Sequence, residues 1–175
     1  IARQMKIVPP PVGVDILLFD AEDYGSPDGL LYAKRKETYC LGSQYWALHL
    51  HRPNYYARFG ILLDMVGAKN AQFWQEGISL YYAPSVVEKV WSTASKLGYS
   101  DYFIFQGTHF LGADDHLYVN RDAKIPTIDI IDFDPGSSTG FPAYHHTHRD
   151  DLPIIDKNTL KAVGQTILEV IYNER

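Results

Sequence analysis

Two short apolar runs that each end in carboxylates constrain the fold of this chain more than any other feature. The first covers residues 14–19 and is followed by Asp20, Glu22 and Asp23, and the second covers residues 57–63 and is followed by Asp64. Each has the length of a strand buried on both faces, as in a parallel sheet, and ligands bind at the carboxyl ends of such strands. The pattern predicts an active site at these acids. Taken singly, a solvated acidic turn and a turn-capping aspartate are the alternatives.

The composition limits the classes of protein to which the chain can belong. Its 175 residues suffice for one domain with a sizeable core, and 46% hydrophobic residues exclude disorder. The net charge of −5 argues against a nucleic-acid partner, and no stretch has the length of a membrane span. Cys40 is the only cysteine, which excludes an internal disulfide and a cysteine zinc site. The ligands of any bound metal must therefore be His and carboxylates.

Helical and strand patterns alternate along the rest of the chain. Helices are predicted over residues 41–50, 84–97 and 157–172, and further strands over residues 71–75, 102–105 and 125–131. The last two helices carry apolar stripes, which include Trp91 and Leu160 and are predicted to be buried. This alternation predicts an α/β fold with a mostly parallel sheet. A long loop over residues 133–151 carries His145, His146 and His148, and a loop of this length in a compact domain is usually functional.

Acids or histidines recur at four successive turns of the chain. They are Glu22 with Asp23, Asp64, Asp114 with Asp115 and His116, and the three histidines of the 133–151 loop. Each group follows or flanks a predicted strand end, so we expect all four at one rim of the sheet. Carboxylates and imidazoles without a thiol suit a catalytic zinc, which takes three protein ligands. The alternative is that the histidines are surface residues, or a chance cluster that binds metal adventitiously.

Four motifs give the chain a family resemblance. They are Phe19-Asp20-Ala21-Glu22-Asp23-Tyr24-Gly25, Leu62-Leu63-Asp64-Met65-Val66-Gly67, Asp114-Asp115-His116 and Tyr144-His145-His146-Thr147. In order and spacing they resemble the M28 zinc-exopeptidase clan, and within it they are most similar to the glutaminyl cyclases of the Bacteroidetes type. The similarity runs from about Gly13 to the end of the chain. It implies a three-layer α/β/α fold with a mostly parallel mixed sheet.

The resemblance also implies roles for the acids and for one histidine. Glu22 would be the general acid/base, and Asp23 and His146 would be zinc ligands. Asp115 would contact the reacting amide. Asp64 matches a ligand of the second zinc in two-zinc aminopeptidases, and in the cyclases it is a hydrogen-bonding acid near a single zinc. An aminopeptidase with two zincs is therefore the alternative within the clan.

Two further positions fall on the implied substrate pocket. Phe141 and His145 match pocket-lining aromatic positions. His145 departs from the family pattern, because the cyclases usually have Trp just before the ligand His. A His there can still stack on the substrate, so the resemblance leaves the shape of the pocket open.

The implied activity is zinc-dependent cyclisation of the N-terminal Gln of peptides to pyroglutamate, with release of ammonia. One Zn²⁺, peptide substrates with N-terminal Gln and an extracytoplasmic location are expected with it. The family's first zinc ligand lies well upstream of the acidic segment, and residues 1–6 read as the end of a helix without an N-cap. Residues 1–175 are therefore expected to be the C-terminal portion of a single catalytic domain, one zinc ligand short when alone. A catalytically inactive binding domain of the same fold is a further hypothesis.

Overall fold

The computed structural model describes residues 1–23, 25 and 37–175. The helices in these ranges are α1 (Ala2–Ile7), α2 (Leu41–Leu48), α3 (Gly77–Tyr82), α4 (Pro84–Lys96), α5 (Asp115–Arg121) and α6 (Lys157–Asn173). The strands are β1 (Gly60–Leu63), β2 (Phe73–Gln75), β3 (Phe103–Gly107) and β4 (Thr127–Ile130), and a 3₁₀ turn spans Leu152–Ile154. Among these elements, α3 and α5 were not predicted from the sequence.

The strands form two parallel pairs. β1 pairs with β4, with Leu62 opposite Asp129, and β2 pairs with β3, with an irregularity after Trp74. One antiparallel bridge, between Phe73 and Asp132, joins the start of β2 to the chain that leaves β4. Parallel neighbours need crossover connections, and helices lie within the connections here. The predicted α/β class with a mostly parallel sheet is confirmed.

β4 has an apolar face and a polar face. Ile128 and Ile130 are fully buried in the main hydrophobic core with side chains from α4 and α6. Because side chains alternate along a strand, Asp129 lies on the opposite face, near Asp114 and His116 at the start of α5. Helices therefore cover both faces of this strand, as a three-layer fold requires.

The two long helices follow their sequence signals closely. α4 begins at Pro84, and its stripe, which includes the fully buried Trp91, packs in the core as predicted. α6 begins after Asp156, whose Oδ2 accepts a hydrogen bond from the N–H of Thr159 at 3.1 Å. Leu160, which the stripe of α6 was predicted to bury, is 43% exposed. No helix in the described ranges is both long and apolar enough to cross a membrane.

The first predicted strand is wrong. Residues 14–19 belong to no ladder formed by the described residues, and Leu18 is 92% exposed. The run over residues 57–63 has the same pattern and does form a strand, because β4 supplies its hydrogen-bonding neighbour. A strand exists only with such a neighbour, and an apolar run does not specify one.

Candidate active site

An open cleft of about 420 Å³ lies where the strands end. Asp64 follows β1, Glu76 follows β2, Asp114 ends the loop after β3, and Ile131 follows β4, and all four line the cleft. Glu22, Asp23, Phe141, His145 and His146 line it as well. The cleft is thus at the edge where open α/β sheets bind ligands. The four segments that were expected at one rim do meet there.

The acidic segment is held at the cleft by backbone hydrogen bonds. The carbonyl oxygens of residues 20–22 accept from the N–H groups of residues 40–42, at 2.9–3.1 Å. These donors begin α2, where N–H groups have no partner within the helix. Gly42 allows the approach, because a Cβ there would lie 2.5 Å from the carbonyl oxygen of Asp20. The start of α2 therefore fixes the segment that the sequence predicted to be the end of a strand.

Glu22 carries a carboxyl with a strongly raised pKa. Burial, a hydrogen bond with Asp23 and the negative charges of Asp114 and Asp64 raise its pKa from 4.5 to about 8. Among the described residues that line the cleft there is no lysine or arginine to offset these charges. A carboxyl with this pKa can bind and release a proton near neutral pH, which suits general acid–base catalysis.

Asp64 and Asp114 form the acidic floor together with Glu22. Burial and the charge of Asp114 raise the pKa of Asp64 to about 7. Burial also raises the pKa of Asp114. The predicted Asp115 does not line the cleft: its side chain is buried, and its Oδ1 has no hydrogen-bond partner among the described residues. Asp114 is the N-cap of α5 with extended backbone, so the two neighbouring side chains diverge where the helix begins.

A buried hydrogen-bonded group lies behind these acids. Glu76 caps α3, and its carboxylate accepts from the N–H groups of Ile78 and Ser79 at 2.8 Å and from the Ser79 hydroxyl at 3.0 Å. Its Oε2 lies 3.1 Å from Nε2 of His116, and both side chains are at most 2% exposed. Burial would raise the pKa of Glu76, but the hydrogen bonds from His116 and the backbone lower it. Glu76 is therefore an ionised acceptor that links the starts of α3 and α5.

Asp23 and His146 lie together at the exposed rim. Oδ1 of Asp23 is 3.1 Å from Nε2 of His146, and the side chains are 61% and 62% exposed. His146 has a φ of 55°, and Ala21 and Met65, which precede Glu22 and follow Asp64, both have a φ of 51°. Such left-handed conformations of non-glycine residues cost roughly 1–3 kcal/mol each and cluster at functional sites. The donor atoms of the rim pair suit zinc, which binds carboxylate oxygen and imidazole nitrogen.

A stack of rings forms one wall of the cleft. The rings of Phe141 and His145 lie 4.2 Å apart at 14°, and those of His145 and His146 lie 3.8 Å apart at 19°. Burial and the neighbouring His146 lower the pKa of His145. The hydroxyl of Tyr144 donates to Asp132 at 2.7 Å, which anchors this loop to the end of β4. His148, in the same loop, is exposed and does not line the cleft.

Sequence reasoning missed two buried acids that line the cleft, Glu76 and Asp129. Asp129 interrupts an otherwise apolar strand between Ile128 and Ile130, and a carboxylate in such a run is a signal that could have been used. Glu76 had a weaker signal, because it resembles an ordinary surface residue after a short strand. Its burial depends on the packing of α3 against β4, which the sequence does not display.

Residues 1–171 match the model of peptidase family M28, and the chain belongs to this family. Among solved structures it is similar to the glutaminyl cyclases of Tannerella forsythia (50% identity, TM-score 0.93) and of Bacteroides thetaiotaomicron, the latter bound to N-acetylhistamine (52%, 0.94). It is also similar to a Zn-dependent exopeptidase from Parabacteroides distasonis (52%, 0.94). Each match covers 99% of this chain and 59% of the other.

The chain therefore spans 59% of the length of these relatives. No curated protein matches it. The resemblance that the motifs indicated, and the zinc-exopeptidase-like fold that it implied, are confirmed.

Proposed function

We propose that the full-length protein is a zinc-dependent glutaminyl-peptide cyclotransferase, which converts the N-terminal Gln of peptides to pyroglutamate. The observation that carries the proposal is the meeting, in one cleft, of Glu22, Asp64 and Asp114 with the Asp23–His146 pair. All three carboxyls have raised pKa values. The similarity to two proteins named glutaminyl cyclases, at 50% and 52% identity, supports it.

The reaction needs one group that both accepts and returns a proton. The α-amine attacks the carbon of its own side-chain carboxamide, a C–N bond closes a five-membered ring, and the bond to the carboxamide nitrogen breaks. Glu22 takes the proton from the attacking amine and gives it to the leaving nitrogen, which departs as ammonia. Its pKa of about 8 keeps both protonation states accessible near neutral pH. Because the attack is intramolecular, holding the folded-back side chain supplies much of the rate.

Asp64 and Asp114 hold the carboxamide nitrogen in this proposal. Their carboxyl oxygens accept hydrogen bonds from its N–H groups, and Asp114 takes the role that the resemblance gave to Asp115. Asp114 is preferred because it lines the cleft, whereas Asp115 does not. With a pKa of about 7, Asp64 keeps a proton part of the time, which reduces repulsion among the three acids.

Asp23 and His146 would hold one zinc ion, together with a ligand from outside the described residues. Zinc at this rim would supply positive charge that polarises the carboxamide carbonyl. Phe141 and His145 provide a stacked wall beside the reacting groups. The lowered pKa of His145 favours its neutral ring, so the wall adds no positive charge near the substrate amine.

Two peptides separate the cyclase from the two-zinc aminopeptidase alternative. We expect the full-length protein to release ammonia from a peptide with N-terminal Gln and to leave a peptide with N-terminal Leu intact. A cyclase has no activated water, whereas a two-zinc aminopeptidase uses a bridging hydroxide. Metal analysis of the same protein is expected to find one zinc. Free leucine released at a comparable rate would contradict the proposal and leave only the family.

An extracytoplasmic location is a further part of the proposal, and it rests on the family resemblance. Fractionation of the producing cells tests it. We expect the protein outside the cytoplasmic fraction, and recovery with cytoplasmic enzymes would contradict this part alone.

A further inference from the structure

Asp129 is a buried acid in an unusual environment. Its side chain is 1% exposed and lies at the inner end of the cleft, on the polar face of β4. Its N–H donates to the Ser79 hydroxyl at 2.9 Å, which fixes the backbone. Its Oδ1 is buried without a hydrogen-bond partner among the described residues. Burying a carboxylate in this way is very unfavourable unless the charge is removed or paired.

Most of the groups that face Asp129 are acids. Asp114 and His116 approach it from α5, Asp64 from the end of β1, and Glu76 from the start of α3. Three of these four are acids, and His116 directs its Nε2 to Glu76 at 3.1 Å. No lysine or arginine is present among the described residues that line the cleft. An ionised Asp129 would therefore face three acids and one imidazole, and the Nε2 of that imidazole already lies at hydrogen-bond distance from Glu76.

We propose that Asp129 is a neutral carboxylic acid that donates its proton to Asp114 and so holds Asp114 as an ionised acceptor facing the cleft. The distances permit this, because polar atoms of Asp114, His116 and Asp129 all lie within 4.8 Å of one another. Two adjacent carboxyls that cannot both ionise share one proton in this way.

Burial decides which of the two keeps the proton. Asp129 is almost completely inaccessible, whereas Asp114 lies at the surface of the cleft. Burial raises the pKa of Asp129 well above its ordinary value, and the negative charges of Asp114, Asp64 and Glu76 raise it further. Burial also raises the pKa of Asp114, but the charge of His116 and the N–H of Asp115 oppose that rise. Asp129 is thus a positioning residue: it contacts Asp114, and Asp114 contacts the substrate. Only this last contact rests on the proposed function.

The substitution Asp129→Asn tests the protonation state in the full-length protein. The amide keeps the shape and a donor for Asp114 but cannot ionise. In the unfolded chain Asp129 loses its proton above about pH 3.8, whereas in the folded protein it keeps it. Wild-type stability therefore falls as pH rises from this value through the folded-state pKa. We expect the melting temperature of Asp129→Asn, relative to wild type, to increase steadily from about pH 5 to pH 9.

Asp132→Asn is the matched control, because Asp132 is also buried and follows the same strand. Its carboxylate accepts hydrogen bonds from the Tyr144 hydroxyl at 2.7 Å and from the N–H of Gln72 at 2.9 Å. An amide group there would turn its NH₂ toward one of these donors. Burial raises the pKa of Asp132 too, but these hydrogen bonds oppose the rise. We therefore expect this variant to be less stable than wild type, with a melting-temperature difference that changes less with pH than that of Asp129→Asn.

Two further measurements bear on the same proton. An infrared difference spectrum between wild type and Asp129→Asn at pH 8 should show the carbonyl band of a protonated acid. A calorimetric titration with Zn²⁺ should give the same stoichiometry for both proteins. Absence of the band, a melting-temperature difference that does not grow with pH, or loss of one bound zinc in the variant would each overturn the proposal. None of these readouts uses turnover, so they hold whether or not the Gln peptide is a substrate.

Discussion

Glu22 and Asp23 of the acidic segment over residues 20–23 face the same cleft as Asp64, but the fold holds the two regions in different ways. Asp64 ends β1, and its N–H donates to the carbonyl of Ile130 at 3.1 Å, which continues the ladder with β4. The acidic segment has no ladder among the described residues and depends on three N–H groups from the start of α2. Asp64 is partly buried, whereas Asp23 is 61% exposed.

The two regions therefore suit different tasks in one site, proton transfer at the buried acids and metal binding at the exposed rim. The side of the cleft fixed by the sheet carries acids whose pKa values are raised by burial. The rim carries Asp23 and His146, which are open to solvent and therefore accessible to an ion. Glu22 connects the two regions, because it is attached to the rim segment but takes its raised pKa from the floor.

The largest effect is expected from Glu22→Gln in the full-length protein. The amide cannot carry a proton, and general acid–base catalysis is worth roughly 10²–10⁴-fold in rate. We expect turnover of the Gln peptide to fall by this factor, with zinc content unchanged. The rate is measured as ammonia release.

Asp20→Asn is the control within the same segment. Asp20 follows the same apolar run but does not line the cleft. We expect turnover close to wild type. Near-normal turnover in Glu22→Gln would remove Glu22 from the mechanism, and equal losses in both variants would mean that the segment acts through its fold.

A smaller effect is expected from Gly42→Ala, which should disturb the backbone hydrogen bonds between the start of α2 and the acidic segment. The new Cβ would lie 2.5 Å from the carbonyl oxygen of Asp20, and backbone atoms cannot turn aside. Overpacking of this kind costs about 1–3 kcal/mol. We expect a loss of stability in urea unfolding together with reduced kcat, because Glu22 moves with the segment.

Gly60→Ala places the same methyl group at the start of β1. Its Cβ would meet the Thr127 side chain, 2.6 Å from Oγ1. We expect a loss of stability with kcat of the folded protein unchanged. If Gly42→Ala lost stability but kept its kcat, the hydrogen bonds to the start of α2 would not position Glu22.

The sequence predicted the cleft better than it predicted the sheet. The sequence correctly predicted that one cleft contains Glu22, Asp23, Asp64 and His146. Acids and histidines at chain turns can be recognised from their immediate neighbours in the sequence. The strand over residues 14–19 was wrong because pairing depends on a distant partner. The prediction named Asp115 where the structure has Asp114 at the cleft. Which of two neighbouring residues faces a cleft at the start of a helix depends on backbone geometry, which the sequence does not show. Asp129 was missed because its significance comes from neighbours that are remote in sequence.

The smallest effects are expected at two glycines, Gly164 and Gly98. They test whether steric contact or backbone conformation makes a glycine hard to replace. Gly164, inside α6, and Gly98, after α4, both leave open space for a Cβ, but Gly98 has a φ of +83°. Gly164→Ala should stabilise the protein by about 0.5–1 kcal/mol, because alanine loses less backbone entropy in a helix. Gly98→Ala should destabilise it by roughly 1–2 kcal/mol, because its backbone is left-handed. Both variants should keep wild-type kcat, and urea unfolding measures the two shifts. If Gly164→Ala were as damaging as Gly42→Ala, a collision with Asp20 would not explain the effect at Gly42.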